Sequence, residues 1–166
     1  MDDPVPMELV GVRIELPTNT PILLLREREG SRYLPIWIGT VEATAIALAL
    51  EGAEPPRPMT HDLLKNVTEG LGANVDRVIV TNLEDGTFYA DLVLTHDDKE
   101  TVLSARPSDA IALAARTAAT LFALRSLLDE VGVEIQDEGQ EEEIERFREF
   151  LNEIRPEDFG AGTSES

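Results

Sequence analysis

The sequence predicts an α+β fold: a largely antiparallel sheet or open barrel, with Ala-rich helices packed on it, in a single domain. Three observations lead there. Strand-like alternation comes in groups, over 7–38 and again over 75–105, with helical spacing between and after them. An Asp-Gly pair stands between two alternating runs, the mark of a tight hairpin. At 166 residues the chain has the size of one domain with room for a core.

MELVGVRIEL (7–16) puts Val10, Val12, Ile14 and Leu16 on one face of a strand. PTNTP (17–21) is a turn by composition, and ILLLRE (22–27) is the next strand. EGSR breaks it and YLPIWI (33–38) resumes. A helix follows from Thr40, its expected N-cap, to a stop at Gly52. Its alanines at 43, 45, 47 and 49 carry little bulk, so something packs closely there. AEPPRPM (53–59) is a Pro-rich loop. Thr60 is the expected cap of a second helix to about Gly70, with Leu63, Leu64, Val67 and Leu71 at helical spacing. VDRVIVTNL and TFYADLVLT flank Glu84-Asp85-Gly86 as a hairpin, and THDDKE (95–100) turns into a short strand, TVLSA. Ser108 is the expected cap of a third helix to about Thr117. TLFAL (120–124) is a strand. Ser126 opens a short helix, with Asp129 at the capping-box position and Gly132 past its end. Beyond it, EEEIERFREFLNEI (141–154) lines up Ile144, Phe147, Leu151 and Ile154 as one stripe of an acidic amphipathic helix, and the last residues read as a disordered tail. The core is expected to fold without residues 137–166, because like charge opposes their docking.

Composition excludes several classes. There is no cysteine, hence no disulfide and no thiolate metal site. The N-terminus has no basic segment followed by an apolar one, and no apolar run reaches the ~18–20 residues of a membrane span. A cytoplasmic protein without a membrane partner is expected. The formal charge is −19, and residues from Asp129 onward carry −11 of it. Such acidity repels nucleic acid at long range, so contact with it would need a local basic patch or bound metal ions. No phosphate-binding Gly-rich loop, HExxH or GxSxG is present.

Two stretches stand out: RPMTHDLL (57–64) and RPSDAIAL (106–113). Pro, Thr or Ser, and Asp at a helix start are explained by local physics, since they stiffen the entry, bond free N–H groups and suit the helix dipole. The arginines are not, because a cation at a helix N-terminus is mildly unfavourable. Arg57 and Arg106 need a carboxylate partner, such as a first-turn Asp or Glu42, or a phosphate. His61 beside Asp62 is a candidate general acid or base. His96-Asp97-Asp98 lies in a polar turn and reads as solvated. Asp91 falls on the Tyr89/Val93 side of its strand, ordinarily the wet one.

LPIWIGTVEATAIALAL, RPMTHDLL, FYADLVL and ARPSDAIALAAR, in this order and spacing, resemble the bifunctional nuclease family over about residues 7–132. FREFLNEIRPEDF is similar to the C-terminal extension of bacterial members. The resemblance implies an α+β fold, a homodimer, and hydrolysis of both RNA and DNA with a divalent cation, Mg or Mn. It divides the chain into a nuclease-like domain, 1–132, and an acidic helix and tail, 133–166. Its signature blocks include Glu42, Arg57, His61, Asp62, Arg106, Ser108 and Asp109.

Two readings follow. In a phosphodiesterase, His61, Asp62, Glu42 and Asp109 form the catalytic set, with the carboxylates able to hold a divalent ion, while Arg57, Arg106 and Ser108 bind phosphate. In a non-enzymatic dimeric module that binds an anion or a protein, the same Arg and Asp residues form a buried ion-pair network. The Ala-rich face of helix 40–51 and the strand ILLL are the surfaces expected to pair in a dimer.

Overall fold

The computed structural model describes residues 2–134. The helix expected at 141–154 and the tail lie outside the described residues. Met1–Val133 form one compact unit. The fold is α+β, with eight strands and four helices.

Strands β1 (Pro4–Glu15), β2 (Thr20–Glu27) and β3 (Arg32–Trp37) form one antiparallel meander. β4 (Asn74–Glu84), β5 (Thr87–His96) and β6 (Lys99–Ala105) form another. β7 (Thr120–Leu124) joins them, antiparallel to β1 and parallel to β4. The sheet order is β6-β5-β4-β7-β1-β2-β3-β8, with β8 at Val133–Glu134. The parallel β4–β7 pair needs a crossover, and α3 (Pro107–Ala114) lies on it, packed on β4, β5 and β7. The expected hairpin turns are present: Asp85 and Gly86, then Asp97 and Asp98, all have positive φ. That is the two-residue geometry whose twist matches the strands. Positive φ at Gly52 ends α1 (Thr40–Leu50), as expected.

The core gathers Met7, Leu23, Leu25, Leu34 and Ile36 from the first meander with Val78 and Val80 from β4. Ile46 of α1, Ile111 of α3, and Leu127 and Leu128 of α4 (Arg125–Val131) close it. Every residue of α3 except Asp109 is buried. Its alanines let α1 approach, and this answers the Ala pattern of 43–49: Ala43 and Ile46 are buried while α1 packs on α3, β1 and β2.

Several expectations are corrected. None of the three hydroxyls caps its helix. The N-caps are Gly39, Met59 and Arg106, and Thr40, Thr60 and Ser108 lie in the first turns, none making a cap bond. In the third helix the reason is Pro107, which takes the first helical position and carries Ser108 inward, where it is buried. That helix also stops at Ala114 rather than about Thr117. Asp129 makes no capping box: it accepts from Arg32 at 2.7 Å, and Ser126 donates to Asp2 instead. ILLL offers little free surface, because Leu23 and Leu25 are fully buried. On β5 the expected wet side is wet only at one end: Tyr89 is exposed and Val93 is buried. The larger surprise is α2 (Thr60–Gly70): Leu63, Leu64 and Val67, with Met59 and Leu71 at its ends, are exposed, and only His61 is buried.

Candidate functional site

The two Arg-Pro stretches are not copies of one device. Aligned by their helices, Asp62 and Asp109 both occupy the third position, and His61 matches Ser108 at the second. The Arg-Pro pairs are then out of step by two residues. Arg106 is the N-cap of α3, whereas Arg57 stands two residues ahead of the Met59 cap.

This offset gives the aspartates different work. Asp62 turns back on its own helix end: its Oδ2 accepts the Met59 backbone N–H at 2.9 Å. Its Oδ1 accepts from Arg116 Nε at 2.6 Å. These contacts, the backbone N–H first and the guanidinium second, hold the Asp62 carboxyl below its ordinary range. Arg116 also donates to the carbonyls of Ala112 at 2.8 Å and Ala45 at 2.9 Å. With 9 % of its side chain exposed, it ties α1, α2 and the end of α3 together. Arg116 was not singled out from sequence, although it closes the quoted block ARPSDAIALAAR; only the fold reveals how far it reaches.

Asp109 instead faces two side chains. Its Oδ1 lies 3.1 Å from His61 Nε2, and its Oδ2 accepts from Arg106 Nε at 2.8 Å. Arg106 continues to Glu42, donating to Oε2 at 3.1 Å. Asp109 first and Glu42 second raise the Arg106 pKa, keeping the guanidinium charged. Glu42 folds back over Gly39, where a Cβ would lie 2.3 Å from Oε1 and the carboxylate would have to shift. The result is a chain, His61–Asp109–Arg106–Glu42, built from three helix starts that share one side of the molecule through α3.

Exposure rises from His61 to Arg106 and falls again at Glu42. The His61 side chain is 9 % exposed, Glu42 and Asp109 are partly covered, and Arg106 is 62 % exposed. Since a carboxylate only accepts, Nε2 is the donor to Asp109, which in the neutral ring leaves the lone pair on Nδ1. Nδ1 has no hydrogen-bond partner among the described residues. A histidine oriented this way through one nitrogen can take a proton through the other.

Arg57 is exposed and makes no ion pair or hydrogen bond with any described residue. The structure therefore brings Glu42, His61, Arg106 and Asp109 together, sets Asp62 against Arg116, buries Ser108 in α3 and leaves Arg57 on the surface. Asp91 and the His96-Asp97-Asp98 turn stay apart: His96 pairs with Asp97, at 3.5 Å, in an exposed hairpin. Asp62 also borders an open depression lined by Ala53, Glu54, Pro55, Pro58 and Asn66.

The carboxylates do not fit a divalent ion as they stand. Both oxygens of Asp62 and both of Asp109 already accept hydrogen bonds, and one of Glu42 faces Arg106. Among the described residues no three His, Asp or Glu side chains gather as metal ligands.

Residues 23–136 match the model of the bifunctional nuclease domain. An uncharacterized protein of Mycobacterium tuberculosis is 46% identical over 163 residues, covering 93% of this chain and 98% of that protein. A protein named bifunctional nuclease 1 of Oryza sativa subsp. indica is 32% identical over 98 residues, 57% of this chain and 30% of its own length. A bifunctional nuclease of Oryza minuta matches to the same extent.

Proposed function

Since this chain belongs to the bifunctional nuclease domain family, we propose that it is a nuclease that hydrolyses phosphodiester bonds of RNA and DNA. The observation that carries the reading is the contact between His61 Nε2 and Asp109, with Arg106 on the far oxygen of the same carboxylate. Hydrolysis forms a bond from water oxygen to phosphorus and breaks a phosphorus–oxygen ester bond. The water proton goes to His61 Nδ1, Asp109 stabilises the imidazolium that results, and the leaving ester oxygen takes a proton from solvent water while the imidazolium returns its own to solvent. Arg106 and Arg57, both exposed, neutralise the phosphate oxygens. Glu42 orients Arg106 by pairing with it. Asp62 has a supporting place in this scheme, because Arg116 and the α2 backbone already occupy it. No step is routed through a divalent ion. The homodimer implied by the resemblance belongs to the same reading, as does a cytoplasmic location.

The test compares highly purified wild-type protein with His61→Ala on single-stranded RNA and DNA, with and without a chelator. The variant should lose ~10²–10⁴ in rate while still binding substrate. Equal rates in the two preparations would point to a contaminating nuclease and sink the assignment of His61.

One observation favours the alternative, a non-enzymatic dimeric module that binds an anion or a protein. Arg116 is saturated by Asp62 and two carbonyls, so part of the Arg/Asp cluster is scaffold. Wild type that binds sulfate or oligonucleotide through Arg57 and Arg106 but cleaves nothing would establish that reading.

A further inference from the structure

Helix α2 is built inside out. Its apolar residues form one continuous arc, and that arc faces solvent: Val67 is 50% exposed and Leu71 is 73%. At 100° per residue, Leu63, Leu64, Val67 and Leu71 share one half of the helix, and Asp62, Lys65 and Glu69 share the other. Asn66 and Thr68 flank the apolar arc, so it carries no ionised group on a chain of net charge −19. The helix holds to the body through His61, Asp62 and its contacts with α3 and β4, leaving the apolar half unused.

Gly70 adds an independent sign. It has no positive φ, and a Cβ there would meet nothing within 4 Å. Neither backbone nor crowding among the described residues requires glycine at this position, where it weakens the helix. A close neighbour beyond the described residues would give it a reason.

We propose that this face is the seam of a twofold dimer, in which the α2 of a second copy packs antiparallel with Val67 at the axis. That register sets Leu63 into the gap over the partner's Gly70, and Leu64 against the partner's Leu71. It also sets Asn66 beside the partner's Asn66 along one edge and Thr68 beside the partner's Thr68 along the other. A twofold seam must be self-complementary, and this one pairs large with small and polar with polar. It is also a surface on which two such acidic chains can meet without setting like charges against each other. An anionic membrane is a poor occupant for the same reason. The proposal rests on the dimeric part of the reading above and is independent of nuclease activity. It places the two His61 residues about 18 Å apart along the paired helices, six residues to either side of the axis.

The test uses the full chain in light scattering at about 50 μM, beside Val67→Glu and, as a control on α1, Val41→Glu. Wild type and the control should be dimers. Val67→Glu should be a monomer that still unfolds cooperatively, at a midpoint lowered only by the lost association, because it puts like charges against each other at the axis. The chain has no cysteine, so Val67→Cys is a clean second probe: mild oxidation should link it into a covalent dimer and leave Val41→Cys unlinked. If Val67→Glu fails to fold, the cross-link decides alone. A monomeric wild type overturns both this seam and the homodimer. A dimer that survives Val67→Glu, with Val67→Cys unlinked, overturns the seam and leaves the homodimer standing.

Discussion

Replacing Arg116 with Ala should cost far more stability than replacing Arg106, although Arg106 is the residue that the sequence puts forward. Arg116 is 9 % exposed and makes three hydrogen bonds, one to a carboxylate and two to main-chain carbonyls on different helices. Its loss strands Asp62 and two acceptors. Breaking a buried ion pair from one side costs roughly 3–5 kcal/mol. Asp62 is 26% exposed and keeps the Met59 N–H, so the lower end applies, about 3 kcal/mol. At ~2–4 °C per kcal/mol for a chain of this size, Tm should fall by roughly 6–12 °C. Arg106 is 62 % exposed, and pairs of that kind contribute about 0–1 kcal/mol. The assay is urea unfolding of wild type, Arg116→Ala, Arg106→Ala and Arg116→Lys, with the midpoint read at constant m-value. Lysine keeps the charge but cannot reach a carboxylate and two carbonyls in a fixed fork, so it should recover only part of the loss. If Arg116→Ala lies within about 1 kcal/mol of wild type, or Arg106→Ala costs as much, the assignment of scaffold and surface roles is wrong.

Gly39→Ala should leave folding nearly intact, since the Gly39 backbone is extended and open to any residue. It should also reproduce the activity and anion affinity of Glu42→Gln, because the new methyl displaces the Glu42 carboxylate from Arg106; activity unchanged by both variants would remove Glu42 from the site. The second expectation concerns acid. Asp62 is lowered from 3.8 by the Met59 N–H and then Arg116; burial raises Glu27, but the Arg32 backbone N–H and guanidinium outweigh it and bring it below 4.5. Both groups bind protons more weakly folded than unfolded, so their stabilisation is complete above about pH 4.5 and is lost as pH falls through the folded values. Unfolding midpoints followed downward from pH 5 should therefore drop less steeply in Asp62→Asn and Glu27→Gln than in wild type; parallel curves would refute the linkage.

The periodicities by themselves determined much of this protein. Alternation of period two, broken by Asp85-Gly86 and Asp97-Asp98, located the second meander almost to the residue, because those signals depend on side-chain direction and on turns that tolerate positive φ. Helical spacing located α1 and α2. The grouping of Glu42, His61, Arg106 and Asp109 was legible as a list of residues at helix starts, but not as a chain of contacts. Helix capping was misread, since a hydroxyl caps only if the backbone enters at that residue, and Pro107 moved the entry of α3 to Arg106. The face of α2 was beyond any sequence rule: an apolar arc looks the same whether it covers the protein's own core or another surface. Tertiary structure decided it, because α3 had already filled the core with its buried alanines and Ile111, and what remained for α2 were the polar anchors Asp109 and Arg116. Those two anchors lie 48 and 54 positions along the chain from His61 and Asp62, a separation at which local pattern carries no information and only the closed fold brings the partners within hydrogen-bond reach.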